Sequence, residues 1–146
     1  MRSAYEYLAN HGLGHPCGIF NQLWQVKAFP NALTTAWRIL MDKMPTRCNL
    51  IRRGVIASSS SCEMCRALEE TSHHLFLECR FAQRVWSQCF RWIGILGAQH
   101  KDLKVHFENF HLVHMSCKQN LVWKGMWVAI VRVYGNRGMR LCLSKG

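Results

Sequence analysis

The chain has 146 residues, a formal net charge of +11, eight cysteines, eight histidines and eight acidic residues. Its 49% hydrophobic residues and six tryptophans are enough to bury a core, which argues against wholesale disorder. Asp42 and Asp102 stand far apart, and outside residues 62–79 there is no carboxylate cluster of the kind that two-metal polymerases, nucleases and ribonucleases H require.

Residues 4–9 read as a short helical start, with no apolar signal-type stretch behind Met1. Residues 10–18 form a glycine-rich loop. Gly12 and Gly14 follow no strand and precede no Gly-Lys-Ser/Thr, so a nucleotide loop is not expected there. Leu33, Ala36, Trp37, Leu40, Met41 and Met44 recur at helical spacing and predict an amphipathic helix over 31–44, started by Pro30 and ended by Pro45. Thr46 can cap a second, short helix running to Arg53, with Gly54 to terminate it. Residues 57–61 are a flexible approach to a cysteine-bearing segment.

Beyond Cys79, the residues Phe81, Val85, Trp86, Cys89, Phe90 and Ile93 predict another helix, ending near Gly94 or Gly97, with Arg80, Arg84 and Arg91 mainly on its other faces. Residues 98–117 are polar and histidine-rich. Residues 118–134 favour helix, with strand as the alternative, and 135–146 read as a loose tail. The longest apolar run, from Leu121 to Tyr134, contains Lys124 and Arg132 and is too short to span a bilayer. The expectation is a mainly α, intracellular chain, with a basic, partly helical stretch over 93–146.

Charge and cysteines converge on one segment. Residues 62–79 carry Arg66 against Glu63, Glu69, Glu70 and Glu78, between two basic flanks. Here Cys62 and Cys65 form a Cys-x2-Cys pair, followed by His73, His74 and Cys79. Zinc takes soft and borderline donors in a tetrahedron, and a Cys-x2-Cys turn offers two thiolates to one ion. A third thiolate and one imidazole would fill the remaining positions, leaving no place for water, so the site would be structural. On a straight α-helix His74 and Cys79 would point about 140° apart, so the helix has to break before Cys79. His73 is the competing ligand. The acidic residues can balance neighbouring arginines or hydrogen-bond the ligand histidine. A second group, His106, His111, His114 and Cys117, lacks a paired-thiol turn and reads as surface histidines; Cys17, Cys48, Cys89 and Cys142 read as core or incidental thiols.

Several motifs in register resemble the zinc-binding domain found downstream of the polymerase in plant LINE-type (non-LTR) retrotransposon polyproteins, the zf-RVT type. They are residues 3–8, Phe20 to Trp24, Lys27 to Pro30, Ala36 to Leu40, Met44 to Arg47, and Cys62, Cys65, His74, Cys79, Val85 and Trp86. The resemblance implies Cys62, Cys65, His74 and Cys79 as ligands of one structural Zn²⁺ in a small zinc-stabilised helical domain over 3–92, followed by an extension over 93–146. It departs from the family in residues 29–35, which lack a basic residue after the proline, and in the tail from Arg132. No Ser-His-Asp or Gly-x-Ser-x-Gly arrangement occurs, so no catalysis is expected. The leading expectation is a non-catalytic module that binds RNA or DNA with little sequence preference, through Arg47, Arg52, Arg53, Arg80, Arg84 and Arg91. The rival is a protein-interaction or scaffold module, or a relic, exposing Trp123, Trp127 and Val131.

Overall fold

The computed structural model describes residues 16–55, 59–94 and 101–143. The expected helix at 4–9 lies outside them. Among the described residues the fold is helical, with no strand and one isolated antiparallel bridge between Ser61 and Glu69.

Helix α1 (Pro16–Gln25) starts on a proline, whose missing N–H costs nothing in a first turn. The loop expected over 10–18 therefore gives way to helix from Pro16. Helix α2 (Pro30–Leu40) also begins on proline but stops well short of residue 44. Asp42 takes a left-handed turn (φ 53°) and its carboxylate accepts hydrogen bonds from Ser72 Oγ (2.6 Å) and Asn49 Nδ2 (3.1 Å), so a tertiary clamp ends the helix before Pro45 can. Burial of the Asp42 carboxyl works against ionisation, yet those bonds and the nearby Arg52 hold its pKa below the usual value.

Thr46 caps α3 (Arg47–Arg52) by accepting from the Asn49 backbone N–H, and Gly54 follows with φ 72°. A π-helical turn (His74–Glu78) leads into α4 (Arg80–Ile93), which Gly94 closes in the left-handed conformation. Asp102 caps a short α5 (Leu103–Glu108) inside the segment expected to be merely polar. Ser116 and Gln119 exchange side-chain-to-backbone bonds in a capping box that opens α6 (Cys117–Leu143). The loose tail expected from 135 onward is helical as far as Leu143.

Helix α6 packs across α2 and the π turn, while α1 touches α2, α5 and α6. The segment read as an extension thus shares one core with the segment before it. Trp86, Phe107 and Trp127 fill that core. Trp86 Nε1 donates to the Phe76 carbonyl (2.7 Å), tying α4 to the π turn, and Trp127 Nε1 donates to His106 Nδ1 (2.9 Å), tying α6 to α5. Lys124 is buried as well. Its ammonium lies over the Phe107 ring and donates to the Phe107 and Glu108 carbonyls (2.5 and 3.2 Å), where the α5 dipole favours a cation.

Two expectations are corrected by this packing. Trp127 and Val131 are fully buried and Trp123 is half-buried with its indole N–H on Met115 Sδ, so the face anticipated for a partner is internal. Likewise His106, read as a surface histidine, is buried against Trp86 and Trp127, whereas His111 and His114 are exposed as expected.

Candidate metal centre

Residues 59–79 are shaped by backbone bonds before any side chain is considered. Glu70 N–H donates to the Ser60 carbonyl and Cys62 N–H to the Leu68 carbonyl, closing a loop around the Ser61–Glu69 bridge. Arg66, at φ 55°, turns the chain back so that its N–H reaches the Cys62 carbonyl (2.8 Å). In this loop the backbone N–H groups of Met64 and Cys65 point at the Cys62 sulfur, and those of Ala67 and Leu68 at the Cys65 sulfur. Such donors favour thiolates.

The second half of the site comes from the π turn. Thr71 Oγ1 accepts from the His74 N–H, seating the start of the turn. Cys79 N–H then donates to the His74 carbonyl (2.6 Å), five residues back, and the chain leaves the turn extended at Cys79. The five-residue interval that would put His74 and Cys79 on different sides of an α-helix is one hydrogen-bonded π turn. The wider turn ends at Glu78 and the backbone is extended at Cys79, so the helix breaks just before Cys79, as the spacing requires.

The result is four donor atoms, from Cys62, Cys65, His74 and Cys79, all within 4.8 Å of one another. His74 Nε2 lies 3.2 Å from Cys65 Sγ. A tetrahedral ion with Zn–S of about 2.3 Å and Zn–N of about 2.0 Å needs donors roughly 3.5–3.8 Å apart. The set fits such an ion, with three sulfurs and one imidazole and Cys62, His74 and Cys79 buried. His73, by contrast, is exposed and its Nδ1 accepts from the Leu103 N–H (3.4 Å), so the structure brings His74 rather than His73 to the thiols.

Electrostatics separate the cysteines. Burial pushes the Cys62 thiol up to about 12 despite its backbone donors. At Cys65 burial acts in the same direction, but the Ala67 and Leu68 N–H groups, His74 and Cys62 outweigh it and lower the thiol to about 6. A cation would supply the positive charge that lets all the thiols ionise together, cross-linking the loop to the π turn. Tyr134, reaching in from α6, has its phenol pKa raised by burial and by the Cys79 thiol.

Glu70 has a role that sequence alone did not reveal. It is 1% exposed, and it accepts from the Arg47 backbone N–H through Oε1 and from the Glu63 N–H through Oε2, both at 3.1 Å. One buried carboxylate thus staples the first turn of α3 to the cysteine loop, with the peptide dipoles of α3 favouring its charge. Beside it Arg47 pairs with Glu63 and donates to the Ser59 carbonyl.

The family model for zinc-binding in reverse transcriptase matches residues 1–86. The chain belongs to this family. No curated protein sequence and no solved structure matches it. The family's zinc-binding character agrees with the donor set just described, which lies wholly within the matched residues. Helix α6 and Tyr134 lie beyond them.

The six arginines fall into distinct settings. Arg47 is a correction: it is half-buried and engaged internally, so it does not offer a free surface charge. Arg52 is exposed, bonded to Asn49 and 3.6 Å from Asp42, and Arg53 is exposed beside it. Arg80, Arg84 and Arg91 are exposed and fall within about 40° of one another around α4, on the side away from buried Ala82, Trp86 and Cys89. Trp92, 77% exposed, lies on the adjoining strip with Phe81 and Val85. Its position off the buried face is readable from helical spacing, once the limits of α4 are known.

Proposed function

We propose that this chain is a non-catalytic module that holds one structural zinc ion at Cys62, Cys65, His74 and Cys79 and binds single-stranded nucleic acid along α4. The observation that carries the second half is the exposed stripe of Arg80, Arg84 and Arg91 beside the exposed Trp92. Guanidinium groups meet phosphates, and an exposed indole stacks on an unpaired base whatever its identity. The Arg80 and Arg84 guanidiniums already lie over the Phe81 ring, at 5.0 and 6.0 Å, which limits their freedom and pre-orients them.

Zinc in this reading supplies cross-linking and charge compensation. The π turn it fixes leads directly into α4, so metal and binding surface are joined by continuous backbone. The family relationship supports a place beside a reverse transcriptase; a retroelement polyprotein of the non-LTR kind is our reading from the sequence motifs. The scaffold reading loses its proposed surface, because Trp127 and Val131 lie in the core.

Anisotropy titrations of labelled single-stranded RNA at two salt concentrations test the interface. Binding should weaken steeply with salt, and replacing Arg80, Arg84 and Arg91 by glutamine should reduce the salt slope by about 2. Trp92→Ala should cost about 1–3 kcal/mol with the slope unchanged. Weak anisotropy that is the same at both salts would sink the nucleic-acid reading.

A further inference from the structure

Tyr134 is 8% exposed, and its hydroxyl is fully buried without a well-formed hydrogen bond to any described residue. Buried hydroxyls normally find partners, so the placement requires a reason. The ring is held edge-on to Phe76, centroids 6.1 Å apart, and Phe76 sits in the π turn between His74 and Cys79. The neighbouring Gly135 lies on the same ring, where a Cβ would stand at an ordinary contact distance of 3.4 Å. From this position the hydroxyl faces the Cys79 thiol, with Cys62 and Cys65 in the same electrostatic neighbourhood.

We propose that Tyr134 is a positioning residue of the metal centre, its O–H donating a hydrogen bond to the Cys79 sulfur when that sulfur is a metal-bound thiolate. The inference rests on the zinc reading above. A neutral thiol is a weak acceptor and a thiolate a strong one, so the buried hydroxyl gains its partner when the ion is bound. Donors of this kind orient ligands and tune metal affinity. The consequence is that α6, outside the family-matched residues, completes the centre and is coupled to its loading.

The test uses the full chain and Co²⁺ in place of zinc, because sulfur-to-cobalt charge-transfer absorption reports electron density on the thiolates. Tyr134→Phe keeps the ring against Phe76 and removes only the hydroxyl. It should bind one Co²⁺ with charge-transfer bands moved to longer wavelength at saturation, and with affinity lowered about tenfold in a chelator competition. As a packing control, Thr35→Val removes the Arg132–Thr35 bond between α6 and α2 and should move neither reading. Bands and affinity unchanged in Tyr134→Phe, or changed equally in Thr35→Val, would overturn the assignment of Tyr134. A wild-type chain that takes up no Co²⁺ would instead overturn the zinc reading itself.

Discussion

Substituting Glu70 by glutamine tests whether a buried carboxylate holds the cysteine loop to the helix before it. The two oxygens each accept one backbone N–H, from Arg47 and Glu63, at 3.1 Å. Hydrogen bonds to a charged group contribute about 1.5–3 kcal/mol each. Glutamine keeps one acceptor oxygen and turns its NH₂ toward the other N–H, so one such bond is lost and two donors face each other. The expected loss is about 2–3 kcal/mol, a large share of a stability that is typically 5–15 kcal/mol. In urea denaturation of the zinc-saturated chain, followed by far-ultraviolet circular dichroism and tryptophan fluorescence, the midpoint should fall by about 1 M or more. Glu69→Gln provides the contrast, since Glu69 is exposed and accepts only a long bond from Ser60 Oγ among the bonds described; it should stay within about 0.5 kcal/mol of wild type. A Glu70→Gln chain as stable as the Glu69→Gln chain would refute the staple.

Chelation of the metal should raise hydrogen exchange across residues 59–79 at least tenfold, because structural zinc sites hold about 10–16 kcal/mol of apparent binding energy; unchanged exchange there would contradict the centre. Burial lowers the Lys124 pKa from its ordinary 10.5 to about 8, so between those values the unfolded chain carries a proton that the folded chain lacks. Stability should therefore rise with pH through that window, by about 3 kcal/mol at most, and Lys124→Met should abolish this part of the slope. Identical slopes in the two proteins would disprove it. Trp127→Ala should cost about 3–5 kcal/mol, from the cavity it leaves and the His106 bond it removes, whereas Val133→Ala on the exposed side of α6 should cost under about 0.5 kcal/mol in the same denaturation.

Much of the local architecture was readable because its causes are local. Pro30, Thr46, Gly54 and Gly94 act through their own dihedrals or through bonds spanning one turn, and they bound their helices where the sequence places them. The end of α2 was not readable, because Asp42 is clamped by Ser72, thirty positions away. Helix α5 and the continuation of α6 escaped for the same reason. The packing of Phe107, Lys124 and Gly135 against distant partners stabilises helix where local signals are weak.

The sequence by itself determined the chemistry that this chain can hold: three thiols and an imidazole at metal-ligand spacing. Only the tertiary structure decided which histidine joins the thiols, since His74 rather than His73 follows from a π turn and from a Leu103 N–H that engages His73. It also decided that Glu70 and Arg47 are internal fastenings, that Trp127 is core, and that Tyr134 faces Cys79. The physical reason is one of range. Spacing along the chain specifies which side chains share a turn, but burial and hydrogen-bond partners depend on which faces of distant helices meet.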